Sequence, residues 1–327
     1  MIRHQPVAVA LALSALASCP RTPSLAPGSL DDAFARIVAD ATRGGGRVSV
    51  TAMELRTGER ASVHGDVTMP LMSVFKLPLA IAALAEVDRG TRSLADVIVI
   101  DVGDLRPPPS AFGDATTSTT LRTLVERAVR ESDNTAGDKL VSLLGTPTAK
   151  LRALGVEGVD IDEQESDIFA RIDCFADPRP PRGWDRASLL ACPKPTDTAR
   201  LHAAKMEANA PHNRATSDAL VALLARLDRD ALLSASSHQL LDDVMAASTT
   251  GSARLRAGVP AGTRVAHKTG TGETVGEFNV ASNDIGIVTL KSGDRFAIAV
   301  LTSGVDEAHR ERVISELAKA AWDHWSR

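Results

Sequence analysis

The chain has 327 residues, enough for one sizeable core or two modest ones. Its 44% hydrophobic and 24% charged residues are ordinary for a globular protein, and a formal net charge of −4 lacks the basic excess that a nucleic-acid partner requires. Aromatic residues make up 3% with no Tyr, which argues against base-stacking platforms, and scattered His with 3 Cys and no CxxC pair argue against a metal site.

The first element is an export signal. Arg3 and His4 precede an apolar, small-residue run from Val7 to Ala17, interrupted only by Ser14. That run is too short for a stable membrane anchor and has the length of a signal-peptide core. We therefore expect a signal peptide over 1–18 and a linker over 19–29 containing Pro20, Pro23 and Pro27. Leu16-Ala17-Ser18-Cys19 is similar to a bacterial lipobox, in which the Cys becomes a lipid anchor. Cleavage near Ala15-Leu16-Ala17 is the alternative. Lipidation is preferred, because a free thiol at an exported N-terminus is a liability. The protein is thus expected to be periplasmic or a membrane-anchored lipoprotein. With Cys19 lipidated or removed, Cys174 and Cys192 remain as an even pair, open to a disulfide or to two buried thiols.

Further along, Arg47 to Leu55 alternates with period two and reads as a strand, and Arg60 to His64 reads as a second one after the Thr57-Gly58 turn. A helix is expected from about Ser73 to Val87, stopped at Asp88-Arg89-Gly90. Residues Thr120 to Leu144 show helical spacing broken by Glu131-Ser132-Asp133-Asn134. The stretch 155–195 has no clear period and reads as a long Ω-like loop, a kind of segment that is often functional. Helical patterns resume at Thr198 to Ala208, Ser217 to Leu227 and Gln239 to Ala247. The strands Ile285 to Leu290 and Phe296 to Leu301 join through a hairpin turn, and a last helix runs from about Asp306 to Trp322. Strands at both ends and helices between imply an α+β fold: an antiparallel sheet built from both chain ends with flanking helices, plus an all-helical insertion. The expected α/β part is 30–66 and 248–327; the helical part is 67–247.

Three short motifs lie on this frame. Ser73-Val-Phe-Lys76 has the form S-x-x-K. On a helix, residues three apart share a face, so Lys76 sits beside the Ser73 hydroxyl and can activate an otherwise poor nucleophile. Ser132-Asp133-Asn134 falls in the break between two helices, where Ser132 can relay a proton and Asn134 can bind an amide. Lys268-Thr269-Gly270 supplies fixed positive charge followed by small residues that let a strand approach a substrate. The backbone N–H groups of Ser73 and Thr271 are candidates for an oxyanion hole. Taken singly, each motif is weak: an exposed helix pair, a helix cap and a loop would look the same.

Together and in this order they resemble the signature of class A β-lactamases and penicillin-binding proteins. The longer strings Met72 to Ala80, Arg130 to Asn134, Val265 to Thr271 and Ala281 to Ile287 resemble the class A branch that contains extended-spectrum enzymes, and the likeness runs from about residue 30 to the end. The resemblance implies a serine β-lactamase without a cofactor, active as a monomer on a small β-lactam. It further implies a deacylating Glu on the Ω-like loop. The best match is Glu163, with Glu165 as its rival. It assigns Arg254 to the substrate carboxylate. The chain departs from the pattern at Asp167, where many relatives carry Asn four residues after the catalytic Glu, and in a long segment from Phe169 to Leu190. No aromatic stands near Leu105 to Pro109, where the family often places one. A D-alanyl-D-alanine carboxypeptidase with the same trio, a β-lactam sensor and a lactamase-like protein that has lost its activity are the competing readings.

Overall fold

The computed structural model describes residues 29–177, 183–229 and 231–327. The expected signal peptide and Cys19 lie outside the described residues.

Five strands form the main sheet. We label them β1 (Arg47–Glu54), β2 (Arg60–Val63), β3 (Val265–Thr271), β4 (Ser282–Thr289) and β5 (Arg295–Ser303). Their order is β2-β1-β5-β4-β3, with every neighbour antiparallel. The N-terminal hairpin and the three C-terminal strands therefore share one sheet, as the two-ended strand pattern predicts. β5 is the central strand and is buried along almost its whole length, which explains its continuous apolar run in place of alternation.

Eleven α-helices are present among the described residues: α1 (Leu30–Ala41), α2 (Lys76–Asp88), α3 (Leu121–Arg130), α4 (Asn134–Leu144), α5 (Pro147–Ala153), α6 (Glu165–Asp173), α7 (Arg186–Ala191), α8 (Asp197–Asn209), α9 (Ser217–Asp228), α10 (Ala235–Ala246) and α11 (Arg312–Trp325). One face of the sheet packs α1 and α11, with Phe34, Val38, Ile314 and Leu317 in that core. The other face packs the helical part around α2. Leu77 to Glu86 are all buried, so α2 is a central helix, apolar on every side. That burial fixes the first turn of α2 at the junction of sheet and helices.

The stretch 155–195 holds more structure than its sequence suggests. Helices α6 and α7 lie within it. Their periodicity is hidden because α6 buries polar residues, Glu165, Ser166 and Asp167, in its first turn. Cys174 and Cys192 form a disulfide across 18 positions that ties the end of α6 to the end of α7. For a loop of that length the chain-entropy model gives about 3 kcal/mol. Replacing both cysteines with serine is expected to lower the melting temperature measurably. Equal melting of the variant and the oxidised protein would contradict a stabilising bridge.

Candidate active site

The cleft lies where α2, α4, α6 and β3 converge. Ser73 sits in a 3-10 turn (Met72–Phe75) that leads directly into α2, and Lys76 is the first residue of that helix. Met72, at φ 44°, delivers the chain into this turn. Lys76 Nζ donates to Ser73 Oγ at 2.8 Å, as the three-residue spacing predicts. It also donates to Ser132 O at 2.9 Å and Asn134 Oδ1 at 2.7 Å.

Ser132 stands in the short link between α3 and α4 with φ 59°. This left-handed conformation is strained for a serine and turns its side chain into the cleft. Asp133 then caps α4 through Ala136 N at 2.8 Å. The capping geometry holds the break in place. From the opposite wall, Lys268 Nζ donates to Ser132 Oγ at 2.9 Å. Thr269, Gly270 and Thr271 follow it on β3. A Cβ on Gly270 would lie 2.5 Å from Leu71 O, so only glycine lets β3 run against the Ser73 turn. Gly137 does the same for α4, because a Cβ there would lie 2.5 Å from Lys76 Cε.

The two candidate carboxylates occupy different environments, and Glu163 is engaged outside the cleft lining. Its carboxylate pairs with Arg171, whose Nε donates to Glu163 Oε2 at 3.0 Å. The Asn213 side chain clamps the local backbone through Glu163 N at 3.1 Å and Glu163 O at 2.9 Å. The rival position is the one in the cleft. Ser73 Oγ donates to Glu165 Oε1 at 2.7 Å, and Lys76 Nζ lies 2.6 Å from Glu165 Oε2. The physical reason is a second clamp. Asp138 on α4 accepts Glu165 N at 2.7 Å and Ser166 N at 3.2 Å, and Arg106 pairs with Asp138 at 2.8 Å. These bonds fix the start of α6 so that its first residue faces Ser73.

Helical spacing continues from there. Glu165, Phe169 and Asp173 form an i, i+4, i+8 stripe that lines the cleft. The position four residues after the carboxylate in the cleft is therefore Phe169, not Asp167, and the departure from an Asn there remains. Asp167 is buried on the other side of α6, where Oδ1 accepts Gly183 N at 3.0 Å. Burial, reinforced by the nearby Asp138 and Glu163 charges, pushes its carboxyl up to about 6. Its pKa is thus raised above the unfolded value of about 3.9. Its contribution to stability is present below that value and is lost as pH rises through about 6. Asp167→Asn keeps the acceptor and removes the titration. The variant is expected to melt a few degrees higher than the parent above pH 6, with the gain fading in acid. A constant difference across that range would contradict this account.

Arg254 is buried at the cleft's edge. Its guanidinium bonds Gly270 O at 3.1 Å, Asn283 O at 2.9 Å, Thr271 Oγ1 at 2.7 Å and Glu311 Oε1 at 3.0 Å. Most of its donors are committed to these bonds. Burial, with the neighbouring Lys76 charge, drives the Lys268 ammonium well below the usual lysine range, while the Glu165 and Asp284 charges oppose that shift. The cavity measures about 470 Å³, the size of a drug-like ligand. Its rim carries Pro107 to Pro109 and no aromatic there, and its lining also includes Phe169, Leu189 and Leu190.

Sequence reading missed Asp138, Arg106 and Asn213, the residues that orient the loop. None belongs to a short motif. Helical spacing does not separate the two carboxylates either, because Glu163, Asp167 and Arg171 repeat at the same interval as Glu165, Phe169 and Asp173.

Comparison with known proteins places these features in a common frame. Residues 29–325 match the family described as the β-lactamase enzyme family. The chain is 29% identical over 288 residues to β-lactamase VEB-1 of Pseudomonas aeruginosa, covering 85% of each chain. It is 28% identical over 263 residues to extended-spectrum β-lactamase PER-1 of the same organism, covering 77% of this chain and 74% of that one. Among solved structures, an ancestral class A β-lactamase superimposes with a TM-score of 0.70 at 30% identity, covering 91% of this chain and 100% of the other.

Proposed function

The chain belongs to the β-lactamase enzyme family as a class A serine enzyme that hydrolyses β-lactams, and from that premise we propose how its residues divide the work. Ser73 is the nucleophile. Its proton passes to Glu165, the carboxylate 2.7 Å away. The Ser73 Oγ–carbon bond forms, and the carbonyl electron pair moves to oxygen, held by the backbone N–H groups of Ser73 and Thr271. Such a donor is worth roughly 10²–10³ in rate. The C–N bond of the ring then breaks. Ser132 Oγ gives the nitrogen a proton, replaced from Lys268 at 2.9 Å. The proton held by Glu165 makes good that deficit across the cluster.

Deacylation reuses the same carboxylate. Glu165 takes a proton from water, hydroxide attacks the acyl carbon, and Glu165 returns the proton to Ser73 as the ester breaks. Lys76 Nζ holds Ser73, Asn134 and Glu165 in register. Asn134, Thr269, Gly270, Thr271 and Arg254 receive the substrate, with Lys268 and Arg254 supplying charge for its carboxylate. The single observation that carries this reading is the double contact of Glu165, to Ser73 and to Lys76. An acyl-enzyme with a base in reach is released; one without stays loaded. Incubating the protein with penicillin and following intact mass tests the reading. The adduct should appear transiently and vanish as substrate is consumed.

We also propose export and a monomeric state. One chain supplies every wall of the cleft, and the disulfide suits an oxidising compartment. Among the described residues no helix is long and apolar enough to cross a membrane. The run from Val7 to Ala17 and Cys19 supports a cleaved or lipidated N-terminus. The mass of the mature protein from a bacterial host distinguishes the two.

A further inference from the structure

The cleft has walls that the three motifs do not account for. Phe169, Leu189 and Leu190 line it together with Pro107 to Pro109. Leu189 is buried in one apolar cluster with Cys174, Cys192 and Trp184. Leu190, the next residue of α7, stays outside that cluster and is 73% exposed at the cleft.

Helix α7 is tied down at both ends. Its first residue, Arg186, fastens it to the rim: Arg186 N donates to Leu105 O at 2.7 Å and Arg186 Nε to Arg106 O at 3.0 Å. At its other end the Cys174–Cys192 bridge joins it to the end of α6, and Lys194 Nζ donates to Leu189 O at 3.3 Å. A helix of 6 residues has little stability of its own, so these ties hold Leu190 in place.

The same rim carries the group that meets the substrate amide. Asn134 Nδ2 donates to Pro107 O at 3.1 Å, and Asn134 N donates to Pro109 O at 2.8 Å. Asn134 is thus bonded to the segment on which α7 docks. From α6, Phe169 lies one turn beyond Glu165, about 6 Å along the helix axis. Two charged lining residues nearby in the chain are already engaged. Asp173 accepts Arg200 Nε at 2.9 Å, and Lys194 is bonded to Leu189 O. What Phe169 and Leu190 add to the cleft is apolar surface.

We propose that Leu190, with Phe169, is a specificity-determining contact for the acylamino substituent of the substrate, and that it selects β-lactams whose substituent is aryl or bulky and apolar. This rests on the proposed function, with Asn134 at the substrate amide. Beyond that amide the substituent runs along Pro107 to Pro109 toward α7. Covering Leu190 there removes apolar surface of both partners from water.

The test compares two penicillins that share a nucleus and an amide, one with a phenylacetamido and one with an acetamido substituent. The parent protein should have the higher kcat/KM on the phenylacetamido compound. In Leu190→Ala the ratio of the two kcat/KM values should fall about tenfold, carried mainly by KM. Leu190→Met, which restores apolar bulk, should keep the ratio within about threefold of the parent. The exposure of Leu190 leaves no core cavity in either variant, so both should melt with the parent. A ratio unchanged in Leu190→Ala, equal losses on both penicillins, or a parent without preference between them would overturn the proposal while leaving hydrolysis in place. A parent protein that turns over neither penicillin would instead remove the proposed function, and this inference with it.

Discussion

Ser73→Ala is expected to lower turnover of any β-lactam by ~10⁴–10⁶ while leaving the fold and substrate binding intact. The size follows from the chemistry. In the proposed mechanism Ser73 Oγ is the atom that forms the covalent bond, and the residues around it act as one unit with it. Losing the hydroxyl removes one donor from Glu165 and one acceptor from Lys76, but the direct contact between Lys76 and Glu165 at 2.6 Å does not depend on it. The cleft keeps its charges and its shape. Thermal unfolding should shift by no more than about 1 kcal/mol, the net worth of a typical hydrogen bond. Penicillin should still raise the melting temperature of the variant. Residual turnover within tenfold of the parent would contradict the assignment of the nucleophile.

Glu165→Gln is expected to separate the two halves of the reaction. General-base catalysis contributes roughly 10²–10⁴, and deacylation, which depends on an activated water, should lose that full amount. Acylation should slow less, because an oriented Ser73 beside a charged Lys76 can still attack a strained amide. The variant should therefore accumulate a stable adduct of one β-lactam per chain, visible by intact mass within minutes. Glu163→Gln is the matched control. Glu163 is spent on Arg171, whose side chain is 30% exposed, so the pair is only modestly stabilising. That variant should turn over within a few-fold of the parent and show no trapped adduct. Trapping in Glu163→Gln with free turnover in Glu165→Gln would reverse the assignment.

These two carboxylates mark the limit of what the sequence discloses. Ser73 and Lys76 were legible because their partnership is local: three residues on one helical turn. Ser132 was legible as a break between helices, and the structure adds only its left-handed backbone. The two-ended sheet was legible because β1, β4 and β5 carry runs of β-branched and apolar residues that a helix would not favour. The start of α6 was not legible. Its orientation depends on Asp138 and Asn213, which lie 27 and 50 residues away in sequence from the backbone groups they bind. No periodicity within 155–195 encodes those contacts. Glu163 and Glu165 differ by two positions and look alike in composition; a distant clamp decides which one meets Ser73. The bridge between Cys174 and Cys192 was open for the same reason, since pairing requires a geometry that spacing does not supply.

A buried cluster with Lys76, Lys268 and Glu165 around one serine is costly to assemble. Arg106 and Asp138 add a further buried ion pair beside it. Such groups are held by many hydrogen bonds rather than by apolar packing, and removing one partner leaves others unsatisfied. This explains why the residues that orient the cluster lie on so many separate elements. It also explains why the release step is the part most exposed to error in the loop. In the proposed mechanism attack is supported by Lys76 and Lys268 as well as by Glu165, whereas release has Glu165 alone as its base and so depends on α6 being held in place by α4 and Asn213.

The most direct test of the account is a single time course: the unmodified protein mixed with excess chromogenic cephalosporin, with hydrolysis and intact mass followed together. Many turnovers per chain, a transient adduct on Ser73 and full return of the unmodified mass when substrate is exhausted are the expected result. One equivalent of product followed by a persistent adduct would contradict it, because Glu165 would then stand beside Ser73 without releasing what Ser73 has bound.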